Sequence, residues 1–231
     1  MDHSGYLMGK AAFDREDYST AFNIFSANES VDVLCSYGLY ALTQVGVIAD
    51  DSQKKSIAEK FTNSFNDITL LAESGDTEAI FVLGVLNERK ILAKGGKEDA
   101  EKLYMLAFEK GNLRAGFNLA VLFQESNEVD KIKMAIQIYE TLIESEYIEA
   151  AVNLGSIYMD CLEFRDMSLA LKYFKYAADK GDPIGQFRVG LIYEYGLGVV
   201  KNSEKAIKYY VLSRNQGNEE AKLRLLNFYF N

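Results

Sequence analysis

The chain has one histidine, one proline, two cysteines and no tryptophan in 231 residues. Each scarcity excludes something. With His3 as the sole imidazole, a Ser–His–Asp triad and an ordinary histidine metal site lack their central residue anywhere in the body of the chain. Cys35 and Cys161 stand 126 residues apart with no paired spacing, so they form neither a zinc pattern nor a redox pair and read as buried small residues. No cofactor is implied. A single proline, Pro183, and the absence of strand-like alternation point to helices. No run of about twenty apolar residues occurs, and the opening MDHSGYLM is not a basic segment followed by an apolar one. The expectation is a cytoplasmic chain without a membrane anchor.

Basic residues are also the smaller class, with 25 Lys and Arg against 34 Asp and Glu and a net charge of −9. That balance argues against a phosphate-backbone partner and for a protein partner that is basic or neutral. The 48% hydrophobic and 26% charged composition is an ordinary one for a chain that buries a core. Two glycine pairs invite a nucleotide reading and fail it. Gly95-Gly96-Lys97 has Ile91 where a phosphate loop needs glycine, and Gly196-Leu197-Gly198 follows a helical pattern and has Lys201 where a third glycine is required. Both read as turns. The many carboxylates leave open a rival reading, an enzyme on a helical scaffold, although on repeat helices they usually form a solvated face.

What the chain does have is a period. A turn recurs at Gly75-Asp76, Gly111-Asn112, Glu146-Tyr147, Gly181-Asp182 and Gly217-Asn218, at spacings of 35 or 36 residues. Four residues after each turn begins stands Ala79, Ala115, Ala150, Gly185 or Ala221. Leu83, Leu119, Leu154, Val189 and Leu225 follow four later, and then Gly84, Ala120, Gly155 and Gly190. An aromatic comes next at Phe123, Tyr158, Tyr193 and Tyr229, where the unit that begins at Gly75 departs with Asn87. Further on, Ala100, Ala135, Ala170 and Ala206 each precede by four an aromatic: Tyr104, Tyr139, Phe174 and Tyr210. Each unit therefore reads as two amphipathic helices, and a hairpin of some thirty-five residues needs stacked neighbours to bury enough surface.

The stretch GQFRVGLIYEYGLGVVKNSEKAIKYY, with Gly190, Tyr193, Gly196, Gly198 and Ala206, resembles the Sel-one-like (SLR, Sel1-like) repeat family, a relative of the tetratricopeptide repeats. Val189 stands where the family usually has leucine. The preceding unit keeps the leucine-glycine, tyrosine and alanine elements but has Cys161 to Phe164 in place of the glycine loop. The resemblance implies an all-α, right-handed α-solenoid of about six helix-turn-helix repeats in a single domain over 1–231. Its units run roughly 1–32, 33–75, 76–111, 112–146, 147–181 and 182–217, with 218–231 as a capping helix.

The spacing breaks in the first third. Ala21 with Phe25 reads as a second-helix pair after a first helix around Tyr6 to Phe13, with a turn at Asp32 and a helix from Val33 to Val45. Gly75 comes 43 residues after Asp32, and the excess falls in the polar stretch Ala49 to Ser56, read as a longer loop. Ile57 to Leu71 is then the second helix, burying Phe61, Phe65, Ile68 and Leu71.

A second apolar row runs along the first helices, about 200° from the small residues at roughly 100° per residue. It consists of Phe81, Phe117, Val152, Phe187 and Leu223, continued by Val85, Val121, Ser156 and Leu191. In the related tetratricopeptide architecture such positions line the concave surface, so the resemblance places a protein- or peptide-binding groove here, edged by Glu78, Glu88, Arg89, Arg114, Gln124, Glu149, Asp160, Glu194 and Tyr195. The alternative is that stacking buries both sides of each first helix. A groove points to a non-enzymatic scaffold or adaptor. The roles open to it are bacterial signalling, secretion, assembly and, with this negative charge, an immunity protein neutralising a basic toxin. Leu225, Leu226, Phe228, Tyr229 and Phe230 crowd the last helix and suggest a homodimer contact.

Overall fold

The structure, a computed structural model, describes residues 8–12, 15, 17–28, 46–48, 50–89 and 96–230. His3, Cys35, Ile91, Gly95, the turn at Asp32 and the helix expected over 33–45 lie outside the described residues. The chain divides into two compact units, Met1–Asn112 and Leu113–Asn231. All regular structure among the described residues is helical, and no helix there is long and apolar enough to cross a membrane.

The first unit contains α1 (Tyr18–Asn28), α2 (Asp51–Glu73), α3 (Thr77–Glu88) and α4 (Lys97–Glu109). The polar stretch read as a loop is the first part of α2. Asp50 caps that helix, its carboxylate accepting from the Gln53 amide at 2.7 Å and the Ser52 hydroxyl at 2.6 Å, and the polar residues that follow face solvent. Only Ile57 and Ile68 of α2 are buried. Phe61 and Phe65 are half-buried, and Leu71, in the last turn of the helix, is exposed.

The second unit contains α5 (Leu113–Glu125), α6 (Val129–Glu144), α7 (Ile148–Asp160), a short 3-10 turn (Leu162–Phe164), α8 (Met167–Asp179), α9 (Pro183–Tyr195), α10 (Ser203–Asn215) and α11 (Glu219–Phe230). Each helix packs against its predecessor, from α5 on α6 through to α10 on α11.

The recurrent turns share one backbone device. Gly75, Gly111, Gly181 and Gly217 take φ between 90° and 94°, and Glu146 adopts φ 59° at the same place. The next residue sends its amide back five positions, as Asp182 does to the Ala177 carbonyl at 3.0 Å and Tyr147 to Leu142 at 2.9 Å. This closes the helix C-terminus in a left-handed cap. The side chain after the turn then caps the following helix: Asp76 accepts from the Ala79 amide at 2.8 Å, Asp182 from Gly185 at 2.6 Å and Asn218 from Ala221 at 2.9 Å.

Within the hairpins, the glycine of the first helix seats the aromatic ring of the second. A methyl group added at Gly84, Gly155 or Gly190 would lie 2.6, 2.8 or 2.5 Å from the ring of Tyr104, Phe174 or Tyr210. Those rings, together with Tyr139, are fully buried, and each contributes about 1.5–3 kcal/mol of apolar burial. Helix α9 also approaches α8 closely at Gly185, where a methyl group would lie 2.8 Å from Ala177 Cβ and 2.9 Å from the Ala178 amide nitrogen. One cluster, containing Val152, Phe174, Ala178, Val189 and Ile192, consequently runs through α7, α8 and α9.

Candidate functional site on the first helices

The second apolar row is deeper than a groove floor requires. Phe81, Val85 and Val152 are buried, which places these three in the hairpin core and corrects the expectation that they line an open surface. The cause is the neighbouring second helix. Phe81 packs on Tyr104 with ring centroids 5.9 Å apart, Phe117 on Tyr139 at 6.1 Å and Tyr147 at 5.3 Å, and Phe187 on Tyr210 at 5.7 Å. Phe117, Val121, Phe187 and Leu191 remain half-buried, and each presents part of its surface outward.

The polar rim divides in the same way. Tyr104 donates its hydroxyl to Glu88 Oε2 at 2.6 Å, Tyr139 to Gln124 Oε1 at 3.1 Å, and Tyr210 to Glu194 Oε2. A buried phenol hydroxyl without an acceptor is costly, so these three rim residues hold the hairpins shut. The hairpin of α7 and α8 has Met159 at this position, and its second-helix ring is Phe174, which has no hydroxyl to satisfy. The pairing is thus Tyr with Glu or Gln, and Phe with Met. The following first helix joins in: Asn153 Nδ2 donates to the Tyr139 hydroxyl at 3.1 Å, and Arg224 lies 3.6 Å from Glu194 while donating to the Tyr195 hydroxyl. Burial pushes the Tyr139 and Tyr210 phenols upward, at Tyr210 with help from Glu194.

Arg89, Asp160 and Tyr195 are exposed, Ser156 is half-buried, and Tyr195 shows 54% of its surface. Three of the candidate residues, Gln124, Ser156 and Asp160, share one cleft of about 380 Å³. The turn after α7 also lines it, and there Cys161 is half-buried and not, as expected, fully buried; its thiol donates to Glu163 at 3.3 Å. Burial pushes that thiol upward, and the neighbouring Glu163 adds to the effect. Among the described residues no group of three or more His, Cys, Asp or Glu is placed to hold a metal ion.

Residues 148–182 and 183–218 each match the family model of the Sel1 repeat. Residues 148–218 thus carry two consecutive Sel1 repeats. Human protein sel-1 homolog 2 is 29% identical over 161 residues, covering 68% of this chain and 23% of that protein. The rat DAP3-binding cell death enhancer 1 is 37% identical over 91 residues, covering 39% of this chain and 18% of that protein. This Sel1-like chain thus spans less than a quarter of the length of these curated relatives. Among solved structures, a protective antigen of uropathogenic Escherichia coli displaying an SLR fold superposes with a TM-score of 0.62 at 23% identity, over 98% of this chain and 56% of that one. That likeness shows the fold: an all-α solenoid of the SLR type.

Proposed function

We propose that this Sel1-like chain is a non-enzymatic scaffold that binds another protein along the inner row of its first helices. The observation that carries the reading is the outward share of that row. Phe117, Val121, Phe187 and Leu191 are half-buried beside the exposed Asp160 and Tyr195, so apolar surface alternates with polar anchors along α5, α7 and α9. A relative that carries matching sequence is named for binding a protein, DAP3. Sel1-like repeats take their role from what they hold. With a net charge of −9, the favoured partner is a basic protein and not a nucleic acid or a membrane, and a cytoplasmic location belongs to the same reading.

The test is affinity purification with the full chain as bait, followed by reconstitution of the recovered partner from purified components. A stoichiometric complex supports the proposal. A protein that forms no such complex, or turns over a substrate through its carboxylates, contradicts it.

A homodimer through α11 is a secondary part of the proposal. Leu226 stands at the position of Gly84, Ala120, Gly155 and Gly190, where the other hairpins seat a second-helix ring, and it is 44% exposed beside Leu223 at 60%. Light scattering decides it, and a strict monomer at high concentration removes the dimer while leaving the scaffold intact.

A further inference from the structure

The hairpin of α7 and α8 departs from its neighbours at two places, and both departures face the same cavity. Ser156 stands where the equivalent residues are Val85, Val121 and Leu191, and residues 161–164 stand where the next hairpin has its glycine loop. In the structure those residues fold into the 3-10 turn Leu162–Phe164, which closes one side of the 380 Å³ cleft between the ends of α5 and α7. Ile132 and Ile157 form its apolar part, and Leu162, 77% exposed, stands at its edge.

The electrostatics of this cleft have one sign. Asp160 and Glu163 line it, no lysine or arginine does, and Asp160 makes no ion pair among the described residues. Arg165, the nearest cation along the chain, donates its Nε to the Met159 carbonyl at 3.2 Å. Helices α5 and α7 both end here, and a helix C-terminus carries partial negative charge that favours a cation. Apolar walls under a negative rim suit a long side chain that lays its methylenes on carbon and holds its charged head outward.

We infer that this cleft receives an arginine or lysine side chain of a basic segment of the partner protein, with Ile132, Ile157 and Leu162 holding the stem and Asp160 and Glu163 the cationic head. The inference rests on the scaffold reading and supplies it with a specificity site. It also accounts for the irregular hairpin: a regular copy would carry an apolar residue at Ser156 and a glycine loop in place of the acidic turn.

The probe is N-acetyl-arginine methylamide, titrated into the isotope-labelled full chain and followed by amide chemical shifts, with the citrulline analogue as its neutral isostere. Saturable shifts confined to the end of α5, the end of α7 and residues 160–163 are expected with arginine and absent with citrulline. Asp160→Asn and Glu163→Gln each weaken binding by about two- to five-fold, the range for partly exposed ion pairs, and added salt weakens it further. Both residues are exposed, so helical circular dichroism remains unchanged. Shifts spread over the whole acidic surface, equal shifts with citrulline, or full affinity in the double variant overturn the inference. The two readings fail separately: a partner bound equally well by wild type and double variant removes only the basic-side-chain site, whereas the absence of any stoichiometric complex removes the scaffold reading itself.

Discussion

The hydroxyl of Tyr210 donates to the carboxylate of Glu194 across the two helices of one hairpin, and in the preceding hairpin the same two positions hold Phe174 and Met159. The acceptor is present where the hydroxyl is, and absent where it is not. This relationship makes the polar rim of the first helices a structural element before it is a recognition element.

Glu194→Met leaves the Tyr210 hydroxyl buried without an acceptor and destabilises the chain by about 1–3 kcal/mol. Tyr210→Phe alone costs less, because Glu194 keeps its contact with Arg224. The double variant reproduces the Met159–Phe174 pair and recovers most of the loss. A double-mutant cycle by urea unfolding checks it; additive losses would contradict it.

Gly190→Ala places a methyl group 2.5 Å from the Tyr210 ring and lowers stability by about 1–3 kcal/mol, the usual cost of overpacking. Gly185→Ala is more severe, since the methyl meets the Ala178 amide nitrogen at 2.9 Å and backbone yields less readily than a ring. Thermal midpoints of the two variants measure both effects and their order.

Alkaline pH unfolds the chain through its tyrosines. Burial raises Tyr139 and Tyr210, and burial with Glu140 pushes Tyr173 up to about 12. The folded state therefore favours the neutral phenol more than the unfolded state does. Stability from these groups is fully present below the ordinary phenol range near 10 and falls as pH rises through the folded values. A phenolate absorbance titration should show a late set of tyrosines that titrate together with loss of helix; a smooth titration of all tyrosines near their ordinary value would contradict this.

Glu146→Gly raises the thermal midpoint, because glycine adopts φ 59° without the steric penalty a side chain pays there. The lost ion pair with Lys180, at 2.9 Å on the surface, offsets only part of the gain. A lower midpoint would show that the ion pair outweighs the backbone strain.

The helical period, the recurrent turns and the small residues of the first helices were legible in the sequence, because each follows from local steric rules that repeat every 35 or 36 residues. Glu146 was legible as a glycine stand-in for the same reason. The depth of Phe81, Val85 and Val152 was not, since spacing gives the direction of a side chain and not what covers it. The roles of Glu88, Gln124 and Glu194 depend on hydroxyls 15 or 16 residues away. A signal for them was nevertheless present: where Phe174 replaces tyrosine, Met159 replaces the polar residue. The start of α2 was missed because its first turns are wholly polar, and a cap at Asp50 rather than an apolar stripe begins the helix.

The central claim, recognition along the inner row, is tested most directly by measuring partner affinity for two surface variants of the reconstituted complex. One carries Asp160→Asn with Tyr195→Ala on the first helices; the other carries Met105→Ser with Met134→Ser on the exposed face of the second helices, where both methionines are solvent-accessible. The account predicts about a ten-fold or greater loss for the first, in the range of truncated interface anchors, and wild-type affinity for the second. Unchanged binding by the first variant, with loss confined to the second, would contradict it.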